Sequence, residues 1–120
     1  MFDFQKLHVY SKSKEIVLDI RQLLESNKFD RNINDQLRRA SLSIMLNIAE
    51  GTSRITNNDK RNFLVIARGS VFECVSILEL LVAVEQISNE IYLQLYQKLE
   101  EISKMLFAYI QKLGGFQAKV

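Results

Sequence analysis

Apolar residues recur at steps of three and four along most of the chain, which is the period of an amphipathic α-helix. No stretch alternates apolar and polar residues for long enough to indicate a strand. The pattern predicts four helices, at about residues 11–27, 34–51, 58–85 and 89–113. Because the connections between them are short, neighbouring helices must run antiparallel, so we predict an all-α, up-down-up-down four-helix bundle.

Small polar residues and glycines predict where these helices begin and end. The candidate N-caps are, in chain order, Ser11 or Ser13, Asn32 or Asn34, and Ser88 or Asn89. Gly51 is predicted to end the second helix and Gly114 the fourth. Residues 116–120 are predicted to fray, as chain ends commonly do.

The third and fourth helices differ in how much of their surface is apolar. The fourth carries a heptad-like seam: Leu95, Leu99, Ile102, Leu106, Tyr109 and Leu113. In the third, 11 of the 14 residues in the stretch 71–84 are apolar, so almost its whole circumference must be buried. A four-helix bundle encloses no helix completely. We therefore predict that part of helix three meets another subunit; the alternative is a central helix. Gly69 lies within the third helix, where a residue without a side chain predicts a close crossing with another helix.

The second helix combines apolar faces with a narrow polar strip. The residues of this strip recur at steps of three and four, so they share one side of the helix: Arg39, Ser43, Asn47, Glu50 and Arg54. Polar groups that become buried need hydrogen-bond partners, so this strip must find them within the bundle or on a neighbouring subunit.

Charge is unevenly distributed over a chain of 120 residues, which is the length of one domain, 1–120. The formal net charge is +2, but residues 1–70 carry 12 Lys/Arg against 8 Asp/Glu. The candidates for phosphate contacts are Arg38, Arg54, Lys60, Arg61 and Arg68. They include no base-reading motif and no aromatic platform, and Phe63 is predicted to lie in the core. The alternative is that Arg39 and Arg54 pair with Glu50 or with a neighbouring subunit, whereas Lys60 and Arg61 remain exposed.

The sequence offers little for catalysis, metal binding or a cofactor. His8 is the only histidine and Cys74 the only cysteine, so zinc sites with several soft ligands are excluded. Cys74 lies in the apolar run and is predicted to be a small core residue. We expect no enzyme activity, no metal and no cofactor. With one cysteine, no signal peptide and no segment long enough to cross a bilayer, the expected location is the cytoplasm.

Two motifs resemble a known family. QLRRASLSIMLNIAEG (36–51) and IARGSVFEC (66–74) are similar to the motifs of four-helix bundle proteins encoded in intervening sequences of bacterial 23S ribosomal RNA genes. The opening residues 2–16 and the closing amphipathic helix also fit, so the resemblance covers nearly the whole chain. The chain departs from the family at Met45, where the family often has a proline that kinks helix two. Without this proline, helix two is expected to be straighter. Arg68 and Cys74 stand where smaller or aliphatic residues are common.

The resemblance implies a left-handed bundle that assembles into a ring of five, with no enzymatic activity. Related accessory proteins of diversity-generating retroelements are basic pentameric barrels that bind nucleic acid and a reverse transcriptase. Two hypotheses follow. The first is a homo-oligomer, expected to be a pentamer, that associates with RNA or DNA through a basic surface. The second is a structural scaffold that binds a protein partner and no nucleic acid; neither involves a membrane.

Overall fold

The protein folds as four α-helices, as seen in a computed structural model that describes residues 1–115. The helices are α1 (His8–Ser26), α2 (Arg31–Thr52), α3 (Asn57–Ala83) and α4 (Asn89–Lys112), and a 3₁₀ turn, Asp3–Lys6, precedes α1. Each helix packs against its neighbour in sequence, α1 closes against α4, and α2 and α3 share the most extensive contact. The all-α bundle is confirmed, with no strand in residues 1–115. The predicted fraying of residues 116–120 lies outside this range.

Two of the predicted helix starts are wrong. Helix α1 begins at His8 because the buried stripe starts with Val9, one turn before Ser13, which is itself buried and donates to the carbonyl of Tyr10. Helix α2 is capped by Asp30, whose carboxylate accepts from the backbone N–H of Asn32 at 2.9 Å. The predicted serine cap of α4 is confirmed, since the Ser88 hydroxyl accepts from the N–H of Ile91.

The core forms where one stripe of each helix meets the bundle axis. Its fully buried side chains are mostly Ile and Leu, and they include Ile16, Ile44, Leu78 and Ile102. Cys74 is also buried in this cluster, as predicted. In α4 the predicted seam holds from Leu95 to Leu106, after which Ile110 is buried and Tyr109 and Leu113 are only partly buried. The deviation follows from geometry, because a helix of 3.6 residues per turn drifts away from a strict seven-residue repeat.

Helix α3 buries one face and exposes the other, so it is not a central helix. Its outer face carries five large apolar side chains that are 42–53% exposed. We call this set the α3 band: Val65, Ile66, Phe72, Leu80 and Val84. Val84 is the C-cap residue just after α3, and the five side chains lie along one side of the helix from position 65 to position 84, which is 19 steps or about 29 Å at 1.5 Å per residue.

Two glycines differ from their predicted roles. Gly51 does not end α2, which continues to Thr52. It is buried where α2 crosses the start of α3, and an added Cβ would lie 3.3 Å from Cβ of Phe63 and 3.4 Å from the carbonyl oxygen of Lys60. Gly69 marks no close crossing within residues 1–115, because nothing outside the nearby backbone of its own helix lies within 4 Å of a Cβ added there. The predicted role of Gly114 holds: α4 ends at Lys112, and Gly114 follows with φ 118°.

Helix α2 runs unbroken through Met45, the position at which the resemblance allowed a proline. Across residues 1–115, none of the helices combines the length and the apolar character needed to cross a bilayer.

Candidate nucleic-acid and assembly surfaces

The polar strip of α2 finds partners at the seam between α2 and α3. The hydroxyl groups of Ser43 and Ser70 lie 2.8 Å apart, and Ser70 is buried. The side-chain amide of Asn47 donates to the carbonyl of Ser43 at 2.9 Å and to its hydroxyl at 3.0 Å. These contacts satisfy polar groups that would otherwise be desolvated without compensation. The central residues of the predicted strip thus form hydrogen bonds that join two helices of the same chain.

An open notch lies beside this hydrogen-bond network. It has a volume of about 510 Å³ and is lined by Gln36, Arg39, Ala40, Ser43, Ser70 and Glu73. Arg39 on α2 and Glu73 on α3 are both exposed, and neither forms an ion pair with another residue of the range 1–115. The predicted pairing of Arg39 with Glu50 is therefore not seen. The notch presents one positive and one negative group, both available to another molecule.

The end of α2 uses Arg54 and Glu50 within the chain. Nη2 of Arg54 lies 2.6 Å from Oε2 of Glu50, as predicted for this pair. The guanidinium of Arg54 also lies over the ring of Phe63, 4.5 Å from its centroid, and Phe63 is half-buried and not part of the buried core. Arg54 therefore has both a carboxylate and an aromatic neighbour, and the prediction that Phe63 lies in the core is wrong.

Arg61 was predicted to be an exposed charge, and the structure corrects this. Its Nη1 donates to the backbone carbonyl of Leu113, just after α4, and its Nη2 donates to Oδ1 of Asn58 at 2.9 Å. Arg61 thereby satisfies a terminal carbonyl of α4, which has no partner within its own helix. Lys60 is half-buried and forms no ion pair within the described chain. Of these two basic residues, only Lys60 retains an uncommitted charge.

Arg68 lies between two aromatic rings on the side of α3 that faces α4. Its guanidinium carbon is 4.8 Å from the ring centroid of Phe72 and 5.3 Å from that of Phe107. The expectation of no aromatic platform among the basic residues did not include these two contacts of the Arg68 guanidinium. Phe107 is 39 positions away from Arg68 in sequence, so local spacing gave no indication of this contact.

The five basic candidates do not form one surface. Arg38 pairs with Asp35 at 2.9 Å and lies 13 residues before Gly51, which is about 20 Å along the axis of α2. Arg54, Lys60 and Arg61 lie beyond Gly51 or at the start of α3, at the opposite end of that helix pair. The structure brings these three residues together and separates Arg38 from them.

The two ends of the bundle carry opposite charge. The end formed by residues 1–8, 50–61 and 109–115, here the positive end, has five Lys/Arg against three Asp/Glu, giving +2. The other end, formed by residues 24–32 and 83–92, has two against four, giving −2. This asymmetry along the axis follows from the up-down topology, which places the start of α1 and the end of α4 beside the α2–α3 connection.

The titratable groups with shifted pKa values have structural causes. Burial, with a smaller contribution from the charge of Glu73, raises the pKa of the Cys74 thiol to about 12. A hydrogen bond to Asp19 at 2.5 Å raises the pKa of Lys98, which also pairs with Glu15 at 3.4 Å. In residues 1–115, no three His, Cys, Asp or Glu side chains lie together as a metal-ligand group. These shifts reflect core packing and ion pairing between α1 and α4.

Comparison with protein families supplies the family of this bundle. The model of the 23S rRNA-intervening sequence protein family matches residues 5–108. The chain belongs to this family. The match includes α1, α2, α3 and most of α4, so it covers the seam between α2 and α3, the notch beside it and the exposed face of α3 that carries the α3 band.

A solved crystal structure has the same fold. The crystal structure of a protein of unknown function from the S23 ribosomal protein family of Bacteroides thetaiotaomicron superposes with a TM-score of 0.82 at 30% sequence identity. The alignment covers 86% of this chain and 98% of that one. Comparison with curated proteins found no match. The relation to accessory proteins of diversity-generating retroelements stays a prediction.

Proposed function

We propose that this member of the 23S rRNA-intervening sequence protein family is a non-enzymatic, homo-oligomeric scaffold that associates with RNA or DNA through its positive ends. The observation that carries the proposal is the α3 band, a line of large apolar side chains left half exposed on one helix face. Exposed apolar residues scattered singly are ordinary, whereas several large ones along one helix face, even with Gly69, Glu73 and Ser76 between them, are typical of an interaction surface. The proposal places the protein in the cytoplasm, where Cys74 would stay reduced.

Burial of the α3 band would contribute substantially to the stability of an oligomer. Fully burying one large apolar side chain contributes about 1.5–3 kcal/mol, so covering five half-exposed ones contributes roughly 4–8 kcal/mol per copy. In a ring, each band is covered by a different face of the next copy, so each interface gains about this amount plus the contribution of that second face. The loss of rigid-body freedom on association costs about 4–15 kcal/mol. The apolar contribution is thus comparable to the cost, and the unpaired charges Arg39 and Glu73 beside the band add specificity more than affinity.

Assembly also explains how a chain with a small net charge could bind nucleic acid. One positive end carries only +2, but a ring with parallel bundle axes would gather all such ends on one face. Phosphate binding through grouped Lys and Arg is strongly dependent on salt and independent of sequence. A pentamer, which the family resemblance implies, would place five positive ends side by side.

The oligomer is tested by replacing one side chain of the α3 band. Phe72→Asp puts a charge into the proposed contact and is expected to produce monomers at micromolar concentration in multi-angle light scattering. Leu18→Asp, at an exposed position on α1 outside the band, is the matched control and should leave the assembly intact. A wild-type protein that scatters as a monomer would contradict the proposal.

Nucleic-acid association is tested with variants that spare Arg61, because its contact with Leu113 makes it structural. Lys60→Glu with Lys112→Glu reverses two charges at the positive end and should weaken the binding of labelled RNA and DNA at least tenfold at 50 mM salt. Lys28→Glu with Arg31→Glu makes the same change at the other end and should have little effect. Equal loss in both variants would indicate only a nonspecific dependence on net charge.

A protein-binding scaffold is the second candidate. It is favoured by the fact that Arg38, Arg54 and Arg61 all make contacts within the chain, which reduces the free positive charge. In that case the α3 band and the notch would serve assembly or a protein partner. An intact oligomer that binds no nucleic acid at low salt would support this candidate over the first.

A further inference from the structure

An aromatic stack stands at the N-terminus of the chain. The ring of Phe2 stacks on Phe4 with centroids 5.8 Å apart and planes inclined by 21°, and Phe4 meets Tyr10 edge-on at 4.8 Å. Phe4 and Tyr10 are half-buried, whereas Phe2 is 72% exposed. The stack therefore has a fixed inner part and an outermost ring that is largely open to solvent.

The backbone holds this outer ring in place. The N–H of Phe2 donates to Oε1 of Gln5 at 2.8 Å, and the N–H of Gln5 donates to the carbonyl of Phe2 at 3.1 Å. These reciprocal bonds close the 3₁₀ turn Asp3–Lys6 over the start of α1. An aromatic side chain positioned in advance loses less conformational entropy when a ligand stacks on it.

The stack lies at the positive end of the bundle. Helix α1 starts there, beside the α2–α3 connection and the end of α4. The same end holds Lys6, which pairs with exposed Asp3 at 4.0 Å, and Lys60 and Lys112, which form no ion pair within residues 1–115. Ile55 on the connection is 93% exposed. An exposed ring at the same end of the bundle as these lysines combines two features of proteins that bind single strands: stacking surfaces for bases and cations for phosphates.

We propose that the positive end binds unpaired nucleotides of RNA or DNA, with a base stacked on Phe2 and the adjoining phosphates neutralised by Lys6 and Lys60. This inference rests on the proposed nucleic-acid association and specifies its ligand as single-stranded. A base inside a duplex is already stacked on its neighbours and offers no free face, whereas an unpaired base does. Stacking on a ring is tolerant of sequence, so little preference among bases is expected.

The exposed apolar groups at this end also fit an anionic lipid surface, but the geometry favours a base. Membrane insertion uses side chains that extend into the bilayer. The Phe2 ring is instead held against Phe4 by the closed turn and presents a flat face. Lipid binding is therefore the competing outcome of the test.

The test uses the absence of tryptophan from the sequence. Phe2→Trp places a single indole at the proposed stacking position, and its fluorescence should be quenched by a single-stranded 20-mer and not by the duplex of the same sequence. Phe2→Ala should weaken binding of the single strand roughly 5- to 150-fold and leave duplex binding unchanged. Tyr96→Ala, in the first half of α4, is the aromatic control and should change neither.

The outcomes separate this inference from the proposed function. If the fluorescence anisotropy of a labelled single strand shows that Phe2→Ala binds it as tightly as the wild type does, the stacking site is wrong and nucleic-acid association stands. If the wild-type protein binds neither strand form at low salt, both fall. If phosphatidylserine vesicles shift the Trp emission to the blue and nucleic acid leaves it unchanged, the surface binds lipid and the inference is overturned.

Discussion

The hydroxyl groups of Ser43 and Ser70, 27 positions apart in sequence, lie 2.8 Å from each other at the seam between α2 and α3. Asn47 donates to Ser43 from one turn further along α2. The three side chains form one network in which Ser43 is the shared member, so removing any one of them breaks a hydrogen bond to Ser43. Networks of this kind are best apportioned by double-mutant cycles.

We expect Ser43→Ala and Ser70→Ala each to lower the free energy of unfolding by about 0.5–1.5 kcal/mol. The double variant should lose less than the sum of the two, because each single change already breaks the shared hydrogen bond. Urea unfolding followed by circular dichroism measures all three. Strictly additive losses would mean that the hydroxyl groups do not interact in solution.

Gly51 and Gly69 should respond in opposite ways to alanine. At Gly69 the added methyl group meets nothing within 4 Å, so Gly69→Ala should stabilise the folded chain by about 0.5–1 kcal/mol through helix propensity. At Gly51 it would meet Cβ of Phe63 and the carbonyl of Lys60, neither of which moves without backbone displacement. Gly51→Ala should therefore destabilise by about 1 kcal/mol or more. Thermal unfolding at one protein concentration compares the pair.

Arg61 should contribute to stability and its neighbour Lys60 should not. Arg61→Gln removes a charged donor from the Leu113 carbonyl and should cost about 1–2 kcal/mol, in the lower part of the range for hydrogen bonds to charged groups because the site is only partly buried. Lys60→Gln, which breaks no ion pair within the described chain, should stay within about 0.5 kcal/mol of the wild type. Chemical denaturation of both variants is the measurement, and equal effects would contradict the assigned contact.

Cys74 should make stability fall at alkaline pH. Its pKa is about 12 in the folded protein against an ordinary value of 9.0, so between these values the unfolded chain loses the thiol proton and the folded chain keeps it. The contribution of the protonated thiol to the free energy of unfolding is complete below pH 9. It declines as the pH rises towards 12, by up to about 1.4 kcal/mol per pH unit.

Cys74→Ala provides the comparison, because lysines and tyrosines titrate in the same range in both proteins. The difference in unfolding free energy between the wild type and this variant should shrink or reverse from pH 8.5 to pH 10.5. A constant difference across this range would show that the thiol ionises as readily in the folded chain as in the unfolded one.

The elements of this fold could be predicted from local spacing. Leu95 to Leu106 in α4 lie in the core because residues three and four apart share a helix face wherever the helix is placed. The same rule identified the apolar excess of α3, and one-residue preferences identified Ser88 as a cap. Helix ends were less secure, since Val9 extends α1 by burial against other helices and no local cap marks that start.

The partners of the polar residues depended on tertiary structure. Arg61 contacts Leu113 across 52 positions, and Arg68 meets Phe107 across 39, because the rotation and axial register of α3 against α4 bring them together. A repeat of 3.6 residues gives the face on which a side chain lies, but not which face of another helix it meets. The sequence by itself therefore determined four amphipathic helices and an apolar excess on the third. Only the packing of the helices decided which charges are used within the chain and that Phe2 and the lysines share one end.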